Sequence, residues 1–124
     1  MSLHRLAAWP PVRPLRRVAV VGESMAPGLL DGDRLLVSAL GPIRAGDVVA
    51  LRDPRQPSRV LVKRVAAVDA GRRALTVLGD NPDASTDSRS FGPVPLRAVL
   101  GRCVLRYHPE ARRGAISGKS QSDS

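Results

Sequence analysis

Turn formers cut this chain into apolar pieces too short for anything but strands. The pieces are Val18–Val21, Arg34–Leu40, Asp47–Arg52, Arg59–Val68, Ala74–Leu78 and Val99–Tyr107. Between them stand Asp31-Gly32-Asp33, Gly41-Pro42, Ala45-Gly46-Asp47, Asp53-Pro54, Asp69-Ala70-Gly71 and Gly79-Asp80-Asn81-Pro82. Glycine, proline and aspartate at this spacing end strands and initiate turns, which predicts an all-β sandwich or barrel. A short helix is expected after Pro27. Residues 1–17 form a basic, Pro-rich, extended lead-in, because proline lacks a donor and its neighbours avoid the helical region. Residues 18–109 form the folded body. Residues 110–124, ending Gly-Lys-Ser-Gln-Ser-Asp-Ser, read as a disordered polar tail with little to bury.

The net charge of +9 suggests a polyanion partner, but its distribution argues otherwise. Residues 1–17 carry four Arg and no acid, and residues 18–109 carry thirteen bases against nine acids. Only Trp9, Phe91 and Tyr107 are aromatic, too few to stack along a strand of bases. No nucleic-acid partner is therefore expected. No apolar run exceeds about five residues, far below the ~18–20 that a spanning helix needs. No apolar signal region follows the start. Both point to a cytoplasmic protein without a stable membrane anchor. A lone Cys103 in an apolar run reads as a packed thiol, and two histidines leave little for a metal site or a Ser-His-Asp triad. No cofactor or metal is implied.

The informative charge is a lysine. The chain has eighteen Arg and two Lys, and Lys63 is the only lysine before the tail. Arginine stays protonated in proteins, whereas a buried lysine can lose its proton. On a strand over Arg59–Val68, Leu61, Lys63 and Val65 share one face. Burial between two aliphatics would push the amine toward neutrality, as a general base needs. The bland alternative is a lysine snorkelling to solvent. Ser24 follows the end of a strand, in Gly22-Glu23-Ser24-Met25-Ala26-Pro27-Gly28. Such a bend can project a hydroxyl and leave backbone N–H groups free for an oxyanion, though Gly-x-Ser is also common in loops. Ser24 and Lys63 make a candidate Ser–Lys dyad, which needs no histidine. The run Gly79–Gly92 is dense in turn formers. It is either a plain loop or a support in which a hydroxyl holds the lysine and an Asp–Arg pair fixes the loop.

In this order the three segments resemble the type I signal peptidase family of Ser–Lys proteases. Gly22-Glu23-Ser24-Met25-x-Pro27-x-Leu29 looks like its nucleophile box, and Gly46-Asp47-Val48-Val49 like the next. Lys63-Arg64-Val65 is similar to the general-base box. Gly79-Asp80-Asn81…Ser85-x-Asp87-Ser88-Arg89 is similar to the last box. The resemblance covers roughly residues 18–108. It implies a compact all-β catalytic core of several short antiparallel sheets. Ser24 would be the nucleophile, Lys63 the base and Ser85 the group that orients the lysine. Asp80, Asp87, Ser88 and Arg89 would brace the loop. Gly22 stands where some members place a hydroxyl that helps bind the oxyanion, so here the hole would rest mainly on backbone N–H groups, that of Ser24 first. Gly28 replaces a common Thr. Only fifteen residues separate Lys63 from Gly79, where large members carry an extra β region. A short version with Gly79-Asp80-Asn81-Pro82 through Tyr107-x-Pro109 looks most like the bacterial proteases that mature nickel-type superoxide dismutase. That resemblance implies a precursor polypeptide as substrate, the nickel-type dismutase precursor with its N-terminal leader. Three other readings remain: a signal peptidase acting at the membrane, a self-cleaving repressor-type Ser–Lys protease, and a basic β-barrel that binds nucleic acid.

Overall fold

The computed structural model describes residues 14–116 and residue 118. Strands form at all six expected runs, though the first is displaced and shares only Val18 and Ala19 with the expected Val18–Val21. They are β1 (Leu15–Ala19), β2 (Arg34–Ser38), β3 (Val48–Asp53), β4 (Gln56–Asp69), β5 (Ala74–Leu78) and, seventh in chain order, β7 (Val99–His108). Two short strands join them, β6 (Val94–Pro95) and β8 (Gly114–Ala115). The strands run antiparallel in the order β1-β2-β7-β3-β4-β5-β6, and β8 pairs with β7. The all-β expectation holds.

The expected helix after Pro27 is absent. Residues 24–28 form turns, with single bonds from the Ala26 N–H to Glu23 and from the Leu29 N–H to Met25. The chain then bends at Gly32, whose φ of +88° ends any helical course. Among the described residues the one α-helical turn, α1, spans Ser88–Phe91. The body also reaches past both expected boundaries. β1 opens at Leu15, inside the segment read as lead-in, while residues 1–13 lie outside the described residues. Within the segment read as a disordered tail, Glu110–Arg112 make a 3₁₀ turn, Gly114–Ala115 pair with β7, and Ile116 packs on the core. Ile116 is the apolar residue that the polar composition of the tail conceals. Residues 117 and 119–124 lie outside the described residues.

Two apolar clusters share β3 and β4. The first gathers Val20, Met25, Leu29, Leu35, Val37, Val48, Ala50, Val62 and Cys103. The second gathers Val49, Leu51, Val65, Leu75, Val77 and Val94. Successive residues of a strand point to opposite faces. Val48 and Ala50 therefore enter one cluster while Val49 and Leu51 enter the other, which is why β3 reads as an unbroken apolar run. β4 does the same with Val62 on one face and Val65 on the other. Cys103 is packed in the first cluster, and burial pushes its thiol up to about 12, so it is inert.

No helix among the described residues is long and apolar enough to cross a membrane. Among the bare edges of the described sheet, two bear on the site. β1 pairs only with β2, and β4 pairs with β5 only from Arg64 onward, so Gln56–Lys63 have β3 on one side and no strand on the other.

Core position decides the cost of truncation. Leu35 is fully buried and Leu40 is 62% exposed. Leu35→Ala is expected to lose about 2–5 kcal/mol in denaturant unfolding, and Leu40→Ala to stay within about 0.5 kcal/mol of the parent.

Candidate active site

A cleft of about 700 Å³ opens along the bare edges of β1 and β4. Its walls include Gly22, Glu23 and Ser24 from the loop after β1, Lys63 from β4, and Ala84 and Thr86 from the loop after β5. Ser24 and Lys63, 39 positions apart in the numbering, are thus brought to one cavity.

Ser24 is half-buried at a turn fixed from below. Met25 and Leu29 sink into the first cluster at 1% and 6% exposure, so the loop cannot lift away. Gly22 turns the chain with φ +85°, a region that favours glycine. Its N–H is donated to Asp31 Oδ1 at 2.7 Å. Gly22 therefore lines the cleft, but its N–H is already spent. The Ser24 N–H has no acceptor among the described residues.

Lys63 is 4% exposed. It lies between Leu61 and Val65, on the β4 face that packs into the second cluster. Its Nζ donates to Ser85 Oγ at 3.1 Å, and Ser85 Oγ donates to Asp87 Oδ2 at 2.8 Å. The hydroxyl has one proton, committed to Asp87, so toward Lys63 it can only accept. Burial holds the Lys63 amine below the usual lysine range. Asp87 opposes this shift, and the charges of Arg55 and Arg89 reinforce it.

Asp87 is fully buried and well supplied with donors. Besides Ser85 it accepts from the Gly79 N–H (2.8 Å), the Arg89 N–H (3.1 Å) and Arg89 Nε (2.9 Å). The Arg89 hydrogen bonds are the largest cause that holds its carboxyl well below the usual range, against the effect of burial. Asp87 also caps α1, since its side chain takes the Arg89 N–H that a helix start leaves unpaired. Ser88 Oγ accepts the Val77 N–H at 2.9 Å, fastening the same loop to β5. Asp80 faces away from this group. It makes a two-bonded pair with Arg64, at 2.9 Å for each contact, and Arg64 also donates to the Gly46 carbonyl at 2.8 Å.

The structure thus joins Lys63, Ser85, Asp87 and Arg89 in one network, fastens that loop to β5 through Ser88, and places Ser24 and Gly22 in the adjoining cleft. It also gives a part to three positions that lie within the motifs but to which the sequence assigns no role. Asn81 fastens the two loops, its N–H donating to the Ser24 carbonyl at 2.8 Å and its Nδ2 to the Glu23 carbonyl at 3.0 Å. Arg64 is the partner of Asp80. Gly79 sits where a Cβ would lie 2.2 Å from Ser85 Oγ and 2.7 Å from the Ser24 carbonyl oxygen. Only the invariably missing side chain of glycine fits between the two loops. The sequence signal for all three was adjacency to Lys63 or to Asp80, with no feature of its own.

Comparison with known proteins agrees with this geometry. The family described as signal peptidase, peptidase S26, matches residues 6–74 and 71–108. The chain is 36% identical to mitochondrial ATP-independent inner membrane protease subunit 1a of Arabidopsis thaliana, over 78% of this chain and 73% of that protein. It is 33% identical to mitochondrial inner membrane protease subunit 1 of Xenopus tropicalis, over 71% of this chain and 66% of the relative. It is 29% identical to mitochondrial inner membrane protease subunit 2 of Schizosaccharomyces pombe, over 93% and 80%. These relatives overturn the expectation of a cytoplasmic protein. Inner-membrane proteases point to membrane association instead. The expectation failed because short apolar runs exclude a spanning helix within the body and say nothing of how that body reaches a membrane.

The crowding at Gly79 gives a direct test of the joint between the loops. Gly79→Ala is expected to destabilise the protein by about 1–3 kcal/mol through overpacking. Gly71→Ala, where the nearest atom is 3.6 Å away, should stay within about 0.5 kcal/mol. Urea unfolding of both variants reads the difference.

Proposed function

Given that this chain belongs to the signal peptidase family, peptidase S26, and is a serine peptidase, we propose that Ser24 is its nucleophile and Lys63 its general base. The observation that carries the assignment is the buried Lys63 amine, held by Ser85 in the cleft that Ser24 lines. Neutral Lys63 spends one N–H on Ser85 and keeps its lone pair for the Ser24 hydroxyl proton. Ser24 Oγ attacks the scissile carbonyl, and the oxyanion that forms takes the unpaired Ser24 N–H. A donor of this kind is worth about 3–4 kcal/mol to the transition state. The Lys63 ammonium then gives its proton to the leaving amine as the peptide bond breaks. Water, deprotonated by the same amine, cleaves the acyl-enzyme and frees Ser24. Asp87 and Arg89 act through Ser85, and Asp80 acts through Arg64 by holding the loop.

The substrate enters as an extended segment. The bare edges of β1 and β4 offer backbone groups on both sides of the cleft, and such edges bind peptides by strand addition. The peptidase unit runs from β1 to Ile116, somewhat beyond the 18–109 expected from the sequence, and its substrate is a precursor polypeptide that loses an N-terminal leader. For the particular precursor we propose that of nickel-type superoxide dismutase, on the likeness of the run from Gly79 to Pro109. A second reading is supported by the relatives, whose names place them as subunits of inner-membrane proteases. On that reading the chain processes exported precursors at a membrane, beside a second subunit. Incubation with each kind of precursor, followed by mass analysis of the new N-terminus, separates them.

Three variants test the dyad. Ser24→Ala should abolish cleavage, and Lys63→Ala should lower kcat by about 10²–10⁴-fold. Lys63→Arg keeps the charge and cannot act as a base, so it should be as inactive as Lys63→Ala. The rate should rise with pH as Lys63 loses its proton, with a midpoint below the ordinary lysine value of ~10.4. The positive charge of Arg89 favours the neutral amine, so Arg89→Gln should move that midpoint upward.

A further inference from the structure

The cleft carries an excess of positive charge at the end away from Ser24. On β1 the odd-numbered residues Arg17 and Ala19 are exposed while Val18 packs on the core. On β4 the odd-numbered residues Arg59, Leu61 and Lys63 share a face. Arg17 and Arg59 both line the cleft, one on each wall. Arg17 has no ion-pair partner among the described residues. The Arg59 side chain is 56% exposed and reaches Asp53 only at 3.9 Å. Asp53 is fully buried and already taken by Arg55, through bonds of 3.0 and 2.8 Å. The group Asp53, Arg55 and Arg59 therefore keeps one uncompensated positive charge. Glu23, beside Ser24, is the one acid on the cleft wall.

We propose that Arg17 and Arg59 select an acidic side chain in the substrate, about four residues from the cleaved bond. The spacing follows from the strands. Arg59 is four residues from Lys63, or about 13 Å at the rise of a β-strand, and an extended peptide beside β4 advances at the same rate. A carboxylate at that point meets guanidinium groups from both walls. The cleft would thus read charge at its far end while backbone pairing holds the rest without regard to sequence. This inference rests on the cleft being the substrate slot.

The test separates binding from cutting. Fluorescently labelled ten-residue peptides of alternating Thr and Ala carry one Asp, Asn or Lys, moved through the positions. Binding is measured to the full chain bearing Ser24→Ala, and the cut is mapped with the parent protein. The Asp peptides should bind about five-fold tighter than the Asn peptides and the Lys peptides weaker, the preference fading with salt. Adding Arg17→Gln and Arg59→Gln should bring the Asp-to-Asn ratio near one. The pair Arg17→Gln with Arg59→Glu should instead turn the preference toward Lys, a gain that misfolding cannot imitate. In the parent protein the cut should follow the Asp at a constant spacing. Equal binding of all three peptides, or an Asp preference that survives loss of both arginines, overturns the inference. An Asp preference in binding with no cut by the parent supports this inference and counts against the dyad.

Discussion

The site depends on an imbalance between two buried charges joined by one hydroxyl. Asp87 is buried among donors that stabilise its ionised form: the Gly79 N–H, the Ser85 hydroxyl, and the backbone and side chain of Arg89. Lys63 is buried with a single polar contact, Ser85, and no carboxylate in direct reach among the described residues. A carboxylate so surrounded keeps its charge at little cost, whereas a lone ammonium against aliphatic side chains is expensive. The same burial therefore leaves the acid charged and drives the amine toward neutrality. Ser85 sets the direction of the relay, because its proton goes to Asp87 and cannot go to Lys63.

The fold supplies the conditions for that imbalance. A lysine can be placed this deep only where the strand carrying it is packed on both faces, and β4 separates two apolar clusters. The cost of the buried amine is spread over a core that Val49, Leu51, Val65 and Val77 would form in any case. The loop that carries Ser24 is pinned to the other cluster by Met25 and Leu29. Gly79 and Asn81 close the distance between the loops, one by having no side chain and the other by bonding the carbonyls of Glu23 and Ser24. The ends of two strands, left bare by the same topology, become the walls of the cleft.

Much of this was legible in the sequence, for reasons that are local. Strand period and turn chemistry are short-range properties, so the six main strands fell where the apolar runs lay. The face shared by Leu61, Lys63 and Val65 followed from the two-residue period alone. The tight bend at Ser24 followed from Gly22 and Pro27. What escaped depends on contacts between distant segments. Gly22 N–H bonds Asp31, Asp80 bonds Arg64, and Gly79 is hemmed in by Ser85 and Ser24, none of which leaves a periodic mark. β8 and the docking of Ile116 were hidden in a polar tail because one apolar residue carries no pattern. The likeness to membrane-bound proteases lay outside what apolar run length can reveal, since a body without a spanning helix can still work at a membrane.

The central claim is that Lys63 works when it is uncharged, and the composition makes it measurable. Lys119 is the only other lysine, so a chain labelled with ¹³C and ¹⁵N in lysine gives two side-chain signals. Their shifts, followed with pH by NMR, report each amine directly and need no substrate. The signal lost in Lys63→Arg should titrate below the ordinary lysine value of ~10.4. If that signal titrates at the ordinary value, the buried-amine account of this site is contradicted.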